Sequence, residues 1–347
     1  NAGGIGGTGS VSATASGDLT IDRSISVGGP VTLTADNGNL AINSAVATPA
    51  STITLSAGGS GGTVTQGVSG SLSATNLALL GGNVTLEHSA NAISTLAASG
   101  VTTLTYADSD ALTIGTVGAT TGINATGPVR IETLSGDLTV AQNIATTNTG
   151  TSALILNAGK ATAAGTITGG NLLISGAPTV TIGSGGRATL YSGSIDGSTG
   201  VTSLVGSGSG RFRYNSDEST TNYTAALGSG LHGIYRENPT VSVAVENKTI
   251  TYGDALPMWT YTTSGMVNGD QVAQAFASPS VSVGGTTSTS GSYTGGNHTL
   301  SASGMTSSQL GYSVGTLTNG TMTVNTKAAA LSGLTAADKV YDGTTAA

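Results

Sequence analysis

Four copies of one short motif recur along this chain: Gly17-Asp18-Leu19-Thr20-Ile21, Gly38-Asn39-Leu40-Ala41-Ile42, Gly136-Asp137-Leu138-Thr139-Val140 and Gly170-Asn171-Leu172-Leu173-Ile174. Each is a turn pair opening a short strand of alternating apolar residues. A repeated unit of this size buries its apolar face only by stacking on its neighbours, so the repeat predicts a solenoid. The functional expectation is reach and display rather than a buried catalytic cleft.

A second strand precedes several motif positions by nine residues: Val31 before Leu40, Val84 before Ile93 and Val129 before Leu138. The spacing predicts a unit of two strands and a corner. In Val31-Thr32-Leu33, Ile53-Thr54-Leu55, Val84-Thr85-Leu86 and Val129-Arg130-Ile131 the apolar residues stand two apart. They therefore share one face, with Thr or Arg on the other. The prediction is an all-β chain: a right-handed parallel β-helix over residues 1–210, rising about 4.8 Å per turn, its hand set by the usual chirality of parallel crossovers.

Composition agrees with that class. The chain has 55 Gly in 347 residues, 8% charged residues and a mean hydropathy of +0.15, too little charge for ordinary disorder. Gly, Ser, Asn and Asp cluster between strands, which reads as turn chemistry. Absence of Cys excludes disulfides and thiolate metal sites. A large, Thr-rich, Lys-poor repeat chain fits a bacterial extracellular polypeptide. No apolar run approaches the ~20 residues that span a bilayer. The chain opens at Asn1 without Met or a secretory leader and stops at Ala347 just inside a motif, which reads as an internal piece of a longer protein.

The net charge of −7 argues against nucleic acid as a partner. Up to residue 210 the only cations are Arg23, Arg130, Lys160 and Arg187, too scattered for an anionic-polymer groove unless stacking gathers them.

Near residue 211 the aromatic content rises: nine of the ten tyrosines lie at Tyr191 or later, with Phe212, Trp259 and Phe276. Arg211-Phe212-Arg213-Tyr214 reads as an aromatic strand closing the last turn, and residues 211–240 as cap and linker. Residues 241–327 read as a small antiparallel β domain with core aromatics Tyr252, Trp259, Tyr261, Tyr293 and Tyr312. Asn319-Gly320 is its hairpin signal.

Five ordered landmarks carry a family likeness: Thr249-Ile250-Thr251-Tyr252-Gly253-Asp254, then Pro257, Ser264-Gly265-Met266-Val267-Asn268-Gly269-Asp270, Tyr293 and Gly320-Thr321-Met322-Thr323-Val324. The segment resembles the MBG domain of the Tyr-Gly type, found in tandem in large bacterial surface proteins. Lys339-Val340-Tyr341-Asp342-Gly343-Thr344-Thr345 is similar to the opening of the YDG repeat, making 328–347 a truncated repeat. With the solenoid, this arrangement resembles the filamentous-haemagglutinin-like exoproteins of two-partner secretion. That resemblance implies a secreted adhesin of the bacterial cell surface or extracellular matrix, exported by an outer-membrane transporter, that binds glycans, exopolysaccharide or neighbouring cells and builds biofilm. The alternatives are a passive stalk displaying a distal binding or toxin domain, and a polysaccharide lyase or hydrolase on a β-helix.

No residue is singled out as catalytic, cofactor-binding or metal-binding. Asp108 and Asp110, two apart, would share a strand face at roughly 7 Å, a spacing compatible with paired-carboxylate glycosidase chemistry. The simpler reading is two solvated acids at a corner near Tyr106. Glu87 and His88 are adjacent, so on a strand they point apart. His88, His232 and His298 are isolated and read as surface residues. Gly58-Gly59-Ser60-Gly61-Gly62 lacks the Asp of calcium nonapeptide repeats and reads as a flexible corner. The Thr-x-Thr runs Thr32–Thr34, Thr52–Thr54 and Thr63–Thr65 are too irregular for an ice-binding face. Sequons at Asn83, Asn124, Asn222, Asn247, Asn297 and Asn319 mark glycosylation only where a matching transferase exists.

Overall fold

The computed structural model describes residues 3–59, 61–276, 280–305, 308–335, 338, 340, 341 and 343. Ser60 of the glycine run, and Lys339, Asp342, Thr344 and Thr345 of the YDG-like opening, lie outside the described residues. The chain divides into two compact units: Asn1–Ser242 with Thr263–Pro279 and Gly304–Gly315, and Val243–Thr262 with Ser280–Ser303 and Thr316–Ala347.

The first unit is built on a parallel β-helix. A column of apolar residues runs up its interior in register, Leu19, Leu40, Val64, Val84, Leu104, Val129, Leu154, Ala188 and Leu231. Those between Leu40 and Ala188 are fully buried. Each turn places one residue of the column on the last, so apolar burial accumulates along the axis without a bulky core. A 10-stranded sheet forms this side of the helix, and a 13-stranded sheet that bends round a corner supplies the other two.

The unit is therefore three strands and three corners, not two and one. In the first turn these are Ile5–Gly7, Val11–Ala15 and Leu19–Ile21. In later turns two sides fuse into single long strands, Val46–Ala57, Leu72–Leu80 and Ala92–Val101. The nine-residue offset spans one corner only, and not the same one each time: Val31 to Leu40 leads into the 10-stranded sheet, Val84 to Ile93 and Val129 to Leu138 lead out of it, so it does not count the corners. For the same reason the motif copies lie on different sides: Leu19–Ile21 and Leu40–Ile42 belong to the 10-stranded sheet, Leu138–Val140 and Leu172–Ile174 to the other.

The second residue of each motif has a job beyond turning the chain. The Asp18 carboxylate accepts the backbone N–H of Asn39 (2.7 Å), and the Asn39 amide oxygen accepts that of Thr63 (3.1 Å). Likewise Asp137 accepts from Asn171 N–H and Asn171 from Ser194 N–H, both at 2.8 Å. The side chains thus form an axial ladder that satisfies corner amides one turn above.

The glycines are only partly turn chemistry. Gly70 has no positive φ, yet a Cβ there would collide with the Ile42 carbonyl of the preceding turn. Its role is close approach of stacked backbones. A second unforeseen element is a hairpin, Thr116–Val117 paired with Thr120–Thr121, whose Val117 forms a small buried cluster with Ala78 and Ala97.

At the carboxy-terminal end of the helix, Gly230–Tyr235 continues the 10-stranded sheet in parallel register with Arg187–Ser192, and Phe212–Arg213 is its last strand. Gly233 stands where earlier turns carry Leu156 and Leu190, and the Phe212 ring fills the space that a Cβ there would need.

The second unit holds a four-stranded sheet ordered Lys248–Thr251, Gly320–Asn325, Gly296–Ser303, Ser280–Val283. Its last three strands are antiparallel, but Lys248–Thr251 joins Gly320–Asn325 in parallel, so the sheet is mixed. Tyr252, Trp259 and Tyr293 pack on the buried cluster of Val245, Leu300, Met322 and Val324, as expected of core aromatics. Tyr312 does not; its ring lies 4.5 Å from that of Tyr214. Asn319-Gly320 makes no hairpin either, because Ser313–Thr318 and Gly320–Asn325 belong to different sheets. A Cβ on Gly320 would stand 2.8 Å from the Val245 carbonyl, so this glycine again serves close approach.

Candidate functional site

The outward face of the 10-stranded sheet changes character along the axis. In the early turns Thr65, Thr85 and Thr105 stack in register. Their hydroxyls take no hydrogen-bond partner among the described residues. The flanking column, Asn39, Thr63, Asn83 and Thr103, is bonded to itself, with Thr63 and Thr103 hydroxyls donating to Asn39 and Asn83 at 2.8 and 3.2 Å. The face therefore offers a central row of free hydroxyls one rung apart, held by a satisfied row beside it.

A groove of about 290 Å³ borders this row, lined by Gln66, Gly67, Val68, Thr85, Glu87 and His88. Val68 is 98% exposed at its rim. The His88 ring is fixed: Ala90 N–H donates to Nδ1 (3.2 Å) and Nε2 faces the Val68 carbonyl (3.1 Å), which puts the proton on Nε2. Both ring nitrogens are thereby engaged, leaving neither to act as a base for Glu87.

Asp108 and Asp110 do not share a strand face. Leu104, Tyr106 and Asp108 alternate along one strand and all face inward; the strand ends at Asp108, and Asp110 leaves into an exposed bend. Asp108 is fully buried rather than solvated. It accepts from Ile93 N–H (2.9 Å), Tyr106 O–H (2.5 Å) and Asp110 N–H (3.2 Å). Burial outweighs these donors and raises its pKa to about 7. Beside it, buried Asn91 accepts from Leu72 N–H and Gln66 and donates to the Leu86 and Ala107 carbonyls. The arrangement closes a corner from within.

From Arg130 onward residues 215–229 cover the same outward face. Glu218 reaches Arg130 (2.6 Å) and Asn157 (3.1 Å), while Arg187 donates to the Leu227 carbonyl and Arg213 to those of Ala225 and Ala226. Stacking does gather Arg130 and Lys160, but around the buried carboxylate of Glu132, with Glu218 as the fourth member. Two cations face two carboxylates, so this cluster carries no net positive charge. Under this cover His232 is 3% exposed, not a surface residue, and desolvation lowers its pKa to about 4.

His298 is buried as well, its Nε2 2.7 Å from the Thr294 carbonyl and its ring edge-on to Tyr293. Among the described residues no three His, Cys, Asp or Glu side chains gather as a metal site. A groove of about 600 Å³ lies where the helix core ends, lined by Ile174, Pro178, Val180, Leu204 and Leu231 among others.

Residues 241–323 match the MBG domain (YGX type), which is not an enzyme family and which points to a β-helix surface or adhesin-like protein. The matched stretch contributes to both compact units. No curated protein and no solved structure matches the chain. No helix among the described residues is long and apolar enough to cross a membrane.

Proposed function

We propose that the chain is part of a bacterial surface adhesin whose β-helix makes multivalent contact with glycans or exopolysaccharide, in cell attachment and biofilm. The observation that carries this reading is the row of unpartnered hydroxyls on Thr65, Thr85 and Thr105 beside the Val68–His88 groove. Each hydroxyl gives a weak, exchangeable hydrogen bond, and affinity comes from repetition along a polymer. Secretion to the cell surface and an outer-membrane two-partner transporter belong to the same proposal and rest on the family resemblance alone.

The test is a binding screen of the full chain against polysaccharides, repeated with a Thr65→Val, Thr85→Val, Thr105→Val variant. Valine keeps shape and β propensity while removing the hydroxyls. Binding should fall at least about tenfold with the circular dichroism unchanged; retained binding would overturn the assignment of this face. A second reading, a passive stalk, is favoured by the self-satisfied Asp18, Asn39, Thr63 ladder, and absence of glycan binding in the wild type would select it.

A further inference from the structure

The cap of a β-helix has to do two things: cover the last apolar rung and occupy the free backbone edge. Residues 211–240 alone do neither completely. The last strand, Phe212–Arg213, pairs with Gly230–Tyr235 on one side only. At this end three buried rings stack, Tyr235 lying 6.3 Å from Phe212 and 6.0 Å from Tyr214 between centroids.

Two stretches from the MBG-matched region, both internal to the first compact unit, complete this end. Tyr214 N–H donates to the Leu310 carbonyl (2.9 Å), and Thr224 and Ala225 N–H both donate to that of Gln309 (3.0 Å). Tyr312 packs its ring on Tyr214. The Tyr214 and Tyr312 hydroxyls converge on one carboxylate oxygen of Asp270, at 2.7 and 3.0 Å. Asn268 donates to the Tyr214 hydroxyl (3.1 Å) and accepts from Thr202 (2.6 Å), and Gly208 N–H donates to the Asn268 carbonyl (2.9 Å). Ala275, Phe276, Met305 and Leu310 are buried in the same unit.

We propose that residues 263–276, 304–305 and 308–315 are the carboxy-terminal cap of the β-helix, pinned by Asp270 between Tyr214 and Tyr312, and that this cap keeps the helix end from pairing with a second chain. The matched sequence then has two roles: one part makes the separate four-stranded sheet, and the other finishes the solenoid. This inference stands on the fold and is independent of the glycan reading.

The experiment uses the full chain with Asp270→Ala and, because loss of a buried carboxylate can unfold a protein, the gentler Asp270→Asn and Tyr214→Phe. Hydrogen exchange is followed strand by strand, and self-association by sedimentation velocity. Protection of Arg187–Ser192 and Gly230–Tyr235 should fall at least about tenfold while Val31–Ala35 and Gly320–Asn325 hold, and larger species should grow with concentration. If only residues 263–276, 304–305 and 308–315 open and Gly230–Tyr235 stays protected, they ride on an end already closed and the cap assignment is wrong. Loss of protection without self-association would overturn the second limb.

Discussion

Asp108 shows how a residue that looks catalytic becomes structural once its face is known. Its spacing from Asp110 was legible, but the sequence carries no mark that the strand stops at Asp108, nor that this corner turns its acid inward beside Tyr106. The consequence is measurable. Folding raises this carboxyl from 3.8 to about 7, so its contribution is fully present below about pH 4 and is lost as pH rises through about 7. Asp108→Asn, which mimics the protonated acid, should match the wild type near pH 4. It should be the more stable by about 4 kcal/mol near pH 7.5 in paired thermal melts; a difference independent of pH would mean an ordinary carboxyl. His232 has the opposite sign. Its pKa falls from 6.5 to about 4, mainly by desolvation, so its contribution is present above pH 6.5 and is lost as pH drops through about 4. Its ring carbons should show no protonation shift in NMR titration until below about pH 5.

For single elements, the strands were readable because period-two alternation is local, and the corners were not, because they are set by the turn beneath. Gly70 illustrates this. In the sequence it resembles any turn glycine; in the fold it is the point where one turn rests on the Ile42 carbonyl of the last. Gly17, by contrast, has open space where a Cβ would go. Gly70→Ala should therefore cost about 2 kcal/mol in denaturant unfolding, and Gly17→Ala no more than about 0.5 kcal/mol. Equal effects would show that backbone freedom, not stacking distance, is what these glycines supply. Asn319-Gly320 failed as a hairpin signal for a related reason: its glycine is demanded by the Val245 carbonyl, a contact with no local trace.

Across the whole molecule, the repeat foretold that each turn would lean on its neighbours, and such an object unfolds from its ends in small steps. What it could not foretell are links that skip turns, since these depend on which segment lies over which face. Arg130 meets Glu218 across 88 residues, and the Arg236 guanidinium, 1% exposed, donates to the Ala158 and Gly170 carbonyls at 2.7 Å. Such links convert the turns from Arg130 to Arg236 from a stack into a block that opens together. Arg236→Met keeps much of the apolar stem but strands the buried Ala158 carbonyl, a cost of roughly 1–3 kcal/mol, and leaves that of Gly170 with the Gly193 N–H alone. The loss is confined to the block, because turns below Arg130 make none of these contacts. Denaturation of the variant followed by hydrogen exchange should therefore split in two: residues 129–236 opening first, then Val31–Leu104 near the wild-type midpoint. A single transition displaced as a whole would mean that cooperativity extends through every turn of the helix, and that the axial Asp and Asn ladder, rather than the turn-skipping links, couples the stack.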